Sequence, residues 1–269
     1  MTPRSSKRVL STLALAGALG LTATACATET TTTESGVQVV SEGELTVCTS
    51  LPYKPFEYRQ GDEVVGFDMD LMQRVAEAND LDLSVEVTGF EGIQSGQALN
   101  SGTCDVAAAG MTITPEREEA VDFSEPYFDA TQALLTTDES IDSLEALDGM
   151  TLGVMSGTTG ELYAEDNAPE GVEIKSFEDL GLQTRAVQGG QVDAIIQDNG
   201  PLLDLAKEND DLFVTAEFDT GESYGFAVRK DQNDPLLESI DTVVSDARDD
   251  GSYDEIYEKW FGQAPTDAR

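Results

Sequence analysis

Short apolar runs alternate with amphipathic stretches along most of the chain. Residues 45–49 are an apolar run. Residues 67–79 place Leu71, Val75 and Ala78 near one face of a helix, with Asp68 as the expected N-cap. Leu83, Val85 and Val87 repeat with the period of a strand over 81–88. A weak helix over 92–100 closes at Gly102, and 104–109 is a nearly continuous apolar run, as in a strand buried on both faces. Strands alternating with helices predict parallel βαβ units. The pattern restarts at Leu147-Asp148-Gly149, with strands over 150–155, 172–177, 192–197 and 212–216 and helices over 157–166, 177–188 and 201–208. Between the two units, 127–137 is extended and poor in helix formers. A strand over 224–229 and helices over 235–249 and 253–261 finish the chain. Those helices have no sheet of their own, so 224–229 is expected to return to the first unit. The chain then crosses twice between two lobes. Double crossing makes a hinge, and a cleft between hinged lobes is where small ligands sit.

The most informative stretch is 107–123. A buried strand stops at Gly110, a loop with two threonines follows, and a short helix begins with Thr114 as N-cap and Pro115 at the first helical position. Glu116 suits the positive end of that helix, whereas Arg117 in its first turn is disfavoured by the dipole. A cation placed there, beside a strand end of an α/β sheet, calls for an anion, read here as the carboxylate of a small ligand.

The N-terminus changes the compartment. Arg4, Lys7 and Arg8 precede an apolar run over 9–21 that is too short for a membrane span, and Ala23-Thr24-Ala25 is a cleavage site for a signal peptide over 1–25. The same residues before Cys26 are similar to a lipoprotein lipobox, with Ala23 where Leu is usual. Both readings cut after Ala25. The expectation is a lipid anchor (diacylglyceryl with palmitate) on Cys26, a flexible polar tether over 26–42, and an exported protein at the outer face of the cell membrane. The chain holds three cysteines, so lipidation of Cys26 leaves Cys48 and Cys104 as a disulfide pair in an oxidising compartment; the alternative is two small buried hydrophobes. The formal charge of −38 argues against binding nucleic acid or an anionic lipid surface through charge. There is no histidine, which removes the commonest metal ligand and general base; neither metal nor cofactor is expected.

Several stretches together carry a resemblance: Gly43-Glu44-Leu45-Thr46-Val47, Tyr53-Lys54-Pro55-Phe56-Glu57, Gly66-Phe67-Asp68-Met69-Asp70-Leu71, Gly110-Met111-Thr112-Ile113-Thr114-Pro115-Glu116-Arg117, Phe123-Ser124-Glu125-Pro126-Tyr127, Gly157-Thr158-Thr159 and Lys259-Trp260-Phe261-Gly262. In this order the chain resembles the polar amino acid-binding family of extracellular solute-binding proteins of ABC importers. The resemblance implies a type II periplasmic-binding-protein fold: two α/β lobes with parallel or mixed sheets, joined by a two-strand hinge. Lobe 1 would span 43–131 and 225–269, and lobe 2 would span 132–224.

The resemblance also implies roles. Arg117 matches the arginine that takes the ligand α-carboxylate in a bidentate pair, against an ordinary intrahelical pair with a neighbouring Glu. Thr112 matches a further donor to that carboxylate, and Gly110 matches the carbonyl that accepts from the ligand ammonium. Thr158 and Thr159 open a helix whose free N–H groups suit an anion; simple capping is the plainer role. Asp198 matches the aspartate that pairs with the ammonium, against a helix N-cap before Pro201. Tyr53 and Phe90 match rings that line the ligand side chain, against plain core packing. Asp68, Asp70 and Trp260 read as structural. Ser50 stands where relatives of basic specificity carry an acid, so a neutral polar amino acid such as glutamine is expected, with an importer permease as partner and a monomeric state. A lyase or dehydratase on this fold, or a sensing subunit for a membrane receptor, are the other function classes. No nucleophile–base motif supports the enzyme.

Overall fold

The structure, a computed structural model, describes residues 30–265. The expected signal peptide and Cys26 lie outside the described residues.

The first lobe begins with β1 (Glu44–Thr49), α1 (Phe67–Ala78), β2 (Asp82–Val87), α2 (Phe90–Gln94), α3 (Gln97–Asn100), β3 (Val106–Ala107), α4 (Pro115–Glu118) and β4 (Val121–Phe123). The chain then crosses on β5 (Phe128–Thr136). The second lobe adds β6 (Thr151–Met155), α5 (Thr159–Asn167), β7 (Glu173–Phe177), α6 (Leu180–Gln188), β8 (Ala194–Asp198) and α7 (Asn199–Glu208). It returns on β9 (Phe213–Tyr224), and β10 (Ala227–Arg229), α8 (Asp234–Asp250) and α9 (Ser252–Phe261) close the first lobe. The first sheet has the order β2-β1-β3-β10-β4, and the second β7-β6-β8-β5-β9. In each, four strands run in one direction and one, β10 in the first sheet and β5 in the second, runs antiparallel between its neighbours. The two-lobed α/β architecture expected from the alternating pattern is present.

The crossing strands are bonded to each other. β5 and β9 pair antiparallel from Phe213↔Thr136 to Tyr224↔Phe128, with a bulge between Phe218 and Glu222. Aromatic rings fix the first-lobe end of this ribbon. Phe56 packs edge-on against Phe67, Phe128, Tyr224 and Phe261, and Tyr127 stacks on Phe226 at 3.9 Å between centroids. Such pairs add to the burial energy of rings already removed from water.

Several expectations need correcting. Residues 224–229 are not one strand: Tyr224 ends β9, and β10 starts at Ala227, because the chain leaves one sheet and enters the other between them. The helix over 92–100 is two short helices broken at Ser95 and Gly96. Asp68 is not the N-cap of α1. Gly66 holds that position, and the Asp68 carboxylate turns inward to accept from the Tyr127 hydroxyl at 2.8 Å and the Gly110 N–H at 3.1 Å. Burial pushes Asp68 up to about 7.

Residues 30–42, expected to belong to a flexible tether, are instead docked on the first lobe. Thr31–Thr32 and Gln38–Val39 form a small antiparallel pair on the first lobe, and Val37 and Val39 are buried. The Asn233 side chain bonds both backbone groups of Gln38, and Asp105 accepts from the Val40 and Thr46 N–H groups. The alternating valines bury one face, which is enough to dock an otherwise polar segment. Cys48 and Cys104 are joined by a disulfide with Cα atoms 5.6 Å apart, tying β1 to the residues before β3. Among the described residues no helix is long and apolar enough to cross a membrane.

Candidate functional site: a cleft between the lobes

The C-terminal ends of the parallel strands of both sheets point at one crevice, the usual position for a ligand in open α/β sheets. β1 leads into Ser50 and Tyr53, and β3 into Ala109, Gly110, Thr112 and α4. Opposite them, β6 leads into Thr158 and Thr159 at the start of α5, β7 into Asp179 at the start of α6, and β8 ends in Gln197 and Asp198. All eight predicted residues, Tyr53, Phe90, Gly110, Thr112, Arg117, Thr158, Thr159 and Asp198, line this single cavity. Its free volume is about 20 Å³, room for roughly one water, so the lobes must part before an amino acid can fit.

Arg117 is 5% exposed. Its helix starts as the sequence predicts, with the Thr114 hydroxyl accepting from the Arg117 N–H. The guanidinium donates to the Thr112 carbonyl at 2.7 Å in its own lobe and to the Gly157 carbonyl at 2.9 Å in the other. The Phe90 ring lies 5.2 Å from the guanidinium carbon, so it orients the cation as well as lining the cleft. Burial lowers the Arg117 pKa from its ordinary value, and the charges of Asp198 and Glu222 work in the opposite direction.

Asp198 is 4% exposed and, although it precedes α7, its side chain makes no capping bond. Its carboxylate accepts from the Tyr53 hydroxyl at 2.6 Å, the Tyr224 hydroxyl at 2.5 Å and the Gln132 amide at 2.5 Å. Burial, followed by the charge of Glu222, pushes it up to about 6. Gly110 sits at φ +50°, and a Cβ there would meet the Tyr53 ring at 2.8 Å, so a larger residue would strain the turn and push into the cleft wall. The Thr158 hydroxyl is occupied in its own turn, accepting from the Glu161 N–H and donating to the Met155 carbonyl. The Thr159 hydroxyl instead faces the cluster and donates to Glu222 at 2.9 Å.

Four residues of the cluster escaped the sequence reading: Gln132, Asp179, Glu222 and Tyr224. Gln132 carried a signal, since it is a polar residue amid Ala130, Ala133 and Leu134 in a strand that reads as apolar. Glu222 carried none, because a bulge invisible in the pattern aims it inward.

Comparisons with known proteins agree with this fold. The chain is 30% identical over 244 residues to a probable histidine-binding protein of Campylobacter jejuni, covering 90% of this chain and 94% of that one. Among solved structures, an ancestral arginine-binding protein bound to glutamine is 39% identical, covers 83% of this chain and 100% of its own, and superposes with a TM-score of 0.77. An ancestral amino acid-binding protein described as a precursor of cyclohexadienyl dehydratase is 34% identical, covers 81% and 95%, and superposes at 0.73. The sequence pattern of the bacterial extracellular solute-binding proteins, family 3, matches residues 45–263. With the two lobes, the hinge and the cleft in place, this chain belongs to that family of extracytoplasmic solute-binding proteins.

Proposed function

We propose that the protein captures a free α-amino acid with an uncharged polar side chain, glutamine being the first candidate, and delivers it to the permease of an ABC importer. The observation that carries this reading is the placement of one buried cation, Arg117, and one buried acid, Asp198, on opposite walls of a single closed cleft. The ligand carboxylate pairs with Arg117 and the Thr112 and Thr159 hydroxyls. Its ammonium pairs with Asp198 and the Gly110 carbonyl. Each end meets groups of both walls, so only a zwitterion of the right span rewards closure, and ligand shifts the population to the closed form. The histidine-binding relative and the glutamine-bound ancestral protein support an amino acid in this position. The protein works as a monomer tethered to the outer face of the cell membrane through lipid on Cys26.

The dehydratase-related neighbour raises an enzyme as the second reading. Asp198 is the group that would act as base, yet its oxygens already accept from two phenols and an amide, which suits holding an ammonium better than abstracting a proton. A thermal-shift screen of the common amino acids on the mature protein, followed by calorimetry, tests the proposal. Glutamine should raise the melting temperature and be recovered chemically unchanged. A screen in which no amino acid shifts the melt, or in which one is consumed, sinks the binding reading.

A further inference from the structure

Two carboxyls, Glu57 and Asp68, lie fully buried behind the first-lobe wall of the cleft, and the binding reading uses neither. Asp68 is well supplied with donors, the Gly110 N–H at 3.1 Å and the Tyr127 hydroxyl at 2.8 Å. Glu57 has none: both of its carboxyl oxygens are sealed from solvent without a hydrogen-bond donor. Its backbone is nevertheless firmly placed. The Glu57 carbonyl accepts from the Tyr53 N–H at 2.7 Å, and the Tyr53 carbonyl accepts from the Glu57 N–H at 3.1 Å. The Phe56 carbonyl accepts from the Asp68 N–H at 3.1 Å. Gly66 permits this approach, since a Cβ there would lie 1.9 Å from the Phe56 carbonyl oxygen. These bonds pin the 53–57 loop to the start of α1 and set the Glu57 carboxyl against that of Asp68. Among the described residues neither acid forms a salt bridge. The titratable groups around Glu57 are Asp68 on α1, Tyr127 at the entry to β5 and Tyr53 of its own loop, and none is a cation. A bare carboxylate without donor or counter-charge is prohibitive in such a place. Burial, followed by the charge of Asp68, pushes Glu57 well above the ordinary carboxylate range.

We propose that Glu57 keeps its proton at neutral pH and donates it to Asp68, so that the two carboxyls form a one-proton unit that positions the first-lobe groups around the ligand ammonium. The positioning half of this inference rests on the amino acid-binding reading above. Asp68 holds the Gly110 N–H, and with it the turn whose carbonyl that reading gives to the ammonium. Glu57 holds Tyr53 through the paired backbone bonds, and the Tyr53 hydroxyl donates to Asp198 at 2.6 Å. One shared proton thus links the two elements that carry Gly110 and Tyr53, and it sets their spacing. Neither acid lines the cleft, so both act through the residues they hold. Two carboxyls so close titrate as a pair, and the first proton to leave is retained by burial and by the charge its loss would create.

Infrared spectroscopy of the mature protein at pH 8 should show the carbonyl stretch of a neutral carboxylic acid, and Glu57→Gln should remove it. The pH profile of stability gives a second readout. A folded chain that keeps a proton which the unfolded chain loses above about pH 4.3 becomes less stable as pH rises. Glu57→Gln has no such proton, so its melting temperature should gain on that of the wild type from pH 5 to pH 8. Calorimetry against the common amino acids tests the positioning. Glu57→Leu removes the donor to Asp68 and should weaken binding about tenfold, the cost of one lost hydrogen bond to a charged group. Glu57→Gln keeps an N–H donor in the same shape and should restore most of that affinity. A wild-type spectrum without the band, or a Glu57→Gln melting difference that is the same at every pH, overturns the shared proton, and neither measurement needs Glu57→Leu to fold. Wild-type affinity in Glu57→Leu, or failure of Glu57→Gln to bind more tightly than Glu57→Leu, overturns the positioning role and leaves the amino acid-binding reading intact. Absence of binding by every amino acid in the wild type overturns that reading and the positioning role with it, while the infrared band still decides the proton.

Discussion

The two lobes contribute opposite charges to the same cleft, but they are built to different standards of rigidity. The first lobe carries the disulfide, the docked segment over 30–42, the two C-terminal helices and the aromatic cluster around Phe56 and Tyr127. The second has a sheet, three helices and a smaller core around Leu134, Leu152, Val154 and Ile196. The site follows the same division. Arg117 is held within its own lobe by the Thr112 carbonyl and the Phe90 ring, and its bond to the Gly157 carbonyl is made across the cleft. Asp198 takes one of its three hydrogen bonds from Tyr53 across the cleft, and opening removes it. On the proposed function this division predicts an order of events: the carboxylate docks first on Arg117, and the second lobe then brings the acid to the ammonium.

The strongest way to break this comparison is at Arg117. Arg117→Ala should weaken amino acid binding by about a thousandfold, because it leaves the ligand carboxylate buried without its charge partner. Asp198→Asn, which keeps the shape and most of the hydrogen bonds, should cost about a hundredfold. Calorimetry on both variants gives the ranking. A larger loss at Asp198 than at Arg117 would reverse the proposed order of docking.

The disulfide sharpens the contrast in stability. Cys48 and Cys104 close a loop of 56 residues, entirely within the first lobe, and a loop of that size is worth up to about 4 kcal/mol in the chain-entropy account. Reduction, or replacement of both cysteines by serine, should speed hydrogen exchange in β1 and β3 and leave β6 and β8 protected. Equal loosening of both lobes would show that they unfold as one unit and that the first is not a separately braced jaw.

Much of this division was legible in the sequence. The restart at Leu147-Asp148-Gly149 marked the second unit, and the orphan C-terminal helices required a return crossing. Thr114, Pro115 and Arg117 placed a cation at a helix start, which the structure turns toward the cleft. What stayed hidden was set by long-range contacts. Asp68 has the local signature of an N-cap, and only the fold reveals Tyr127 and Gly110 as its partners. Glu222 sits in a polar, exposed-looking stretch, and a register shift against Thr131 turns it inward. The valines at 37 and 39 were too few to announce a strand, and their burial depends on α8 and on Asn233, almost two hundred residues away.

A smaller effect should appear on titration. Asp198 has its pKa raised to about 6, chiefly by burial. A raised carboxyl favours the protonated fold, so its contribution to the stability of the free protein grows as pH falls from about 6 toward its ordinary value. Ligand affinity should run the other way. Below about pH 6 the ammonium meets a neutral acid, and affinity should fall by up to tenfold per pH unit. Asp198→Asn should flatten this dependence between pH 5 and 8. A variant that keeps the wild-type slope would locate the titrating group elsewhere, and the second jaw would lose its claim to the ammonium.

The smallest effect expected is at the outer edge of the cleft, where a salt bridge joins the lobes. Lys54, on the first-lobe loop, reaches Asp204 at 3.3 Å and also Glu208, both on α7 of the second lobe. Among the described residues this is the salt bridge that spans the lobes; the other pairs lie within one lobe. The Lys54 and Glu208 side chains are 32% and 53% exposed, so water and salt screen the attraction and hold its worth to below about 1 kcal/mol. Lys54→Ala should therefore weaken ligand binding only a few-fold, through a lower population of the closed form. The deficit should vanish at high salt, where the wild-type bridge is also silenced. If the deficit were a hundredfold, or persisted at high salt, Lys54 would be contributing to the ligand pocket itself, and the first lobe would offer the ligand a second cation.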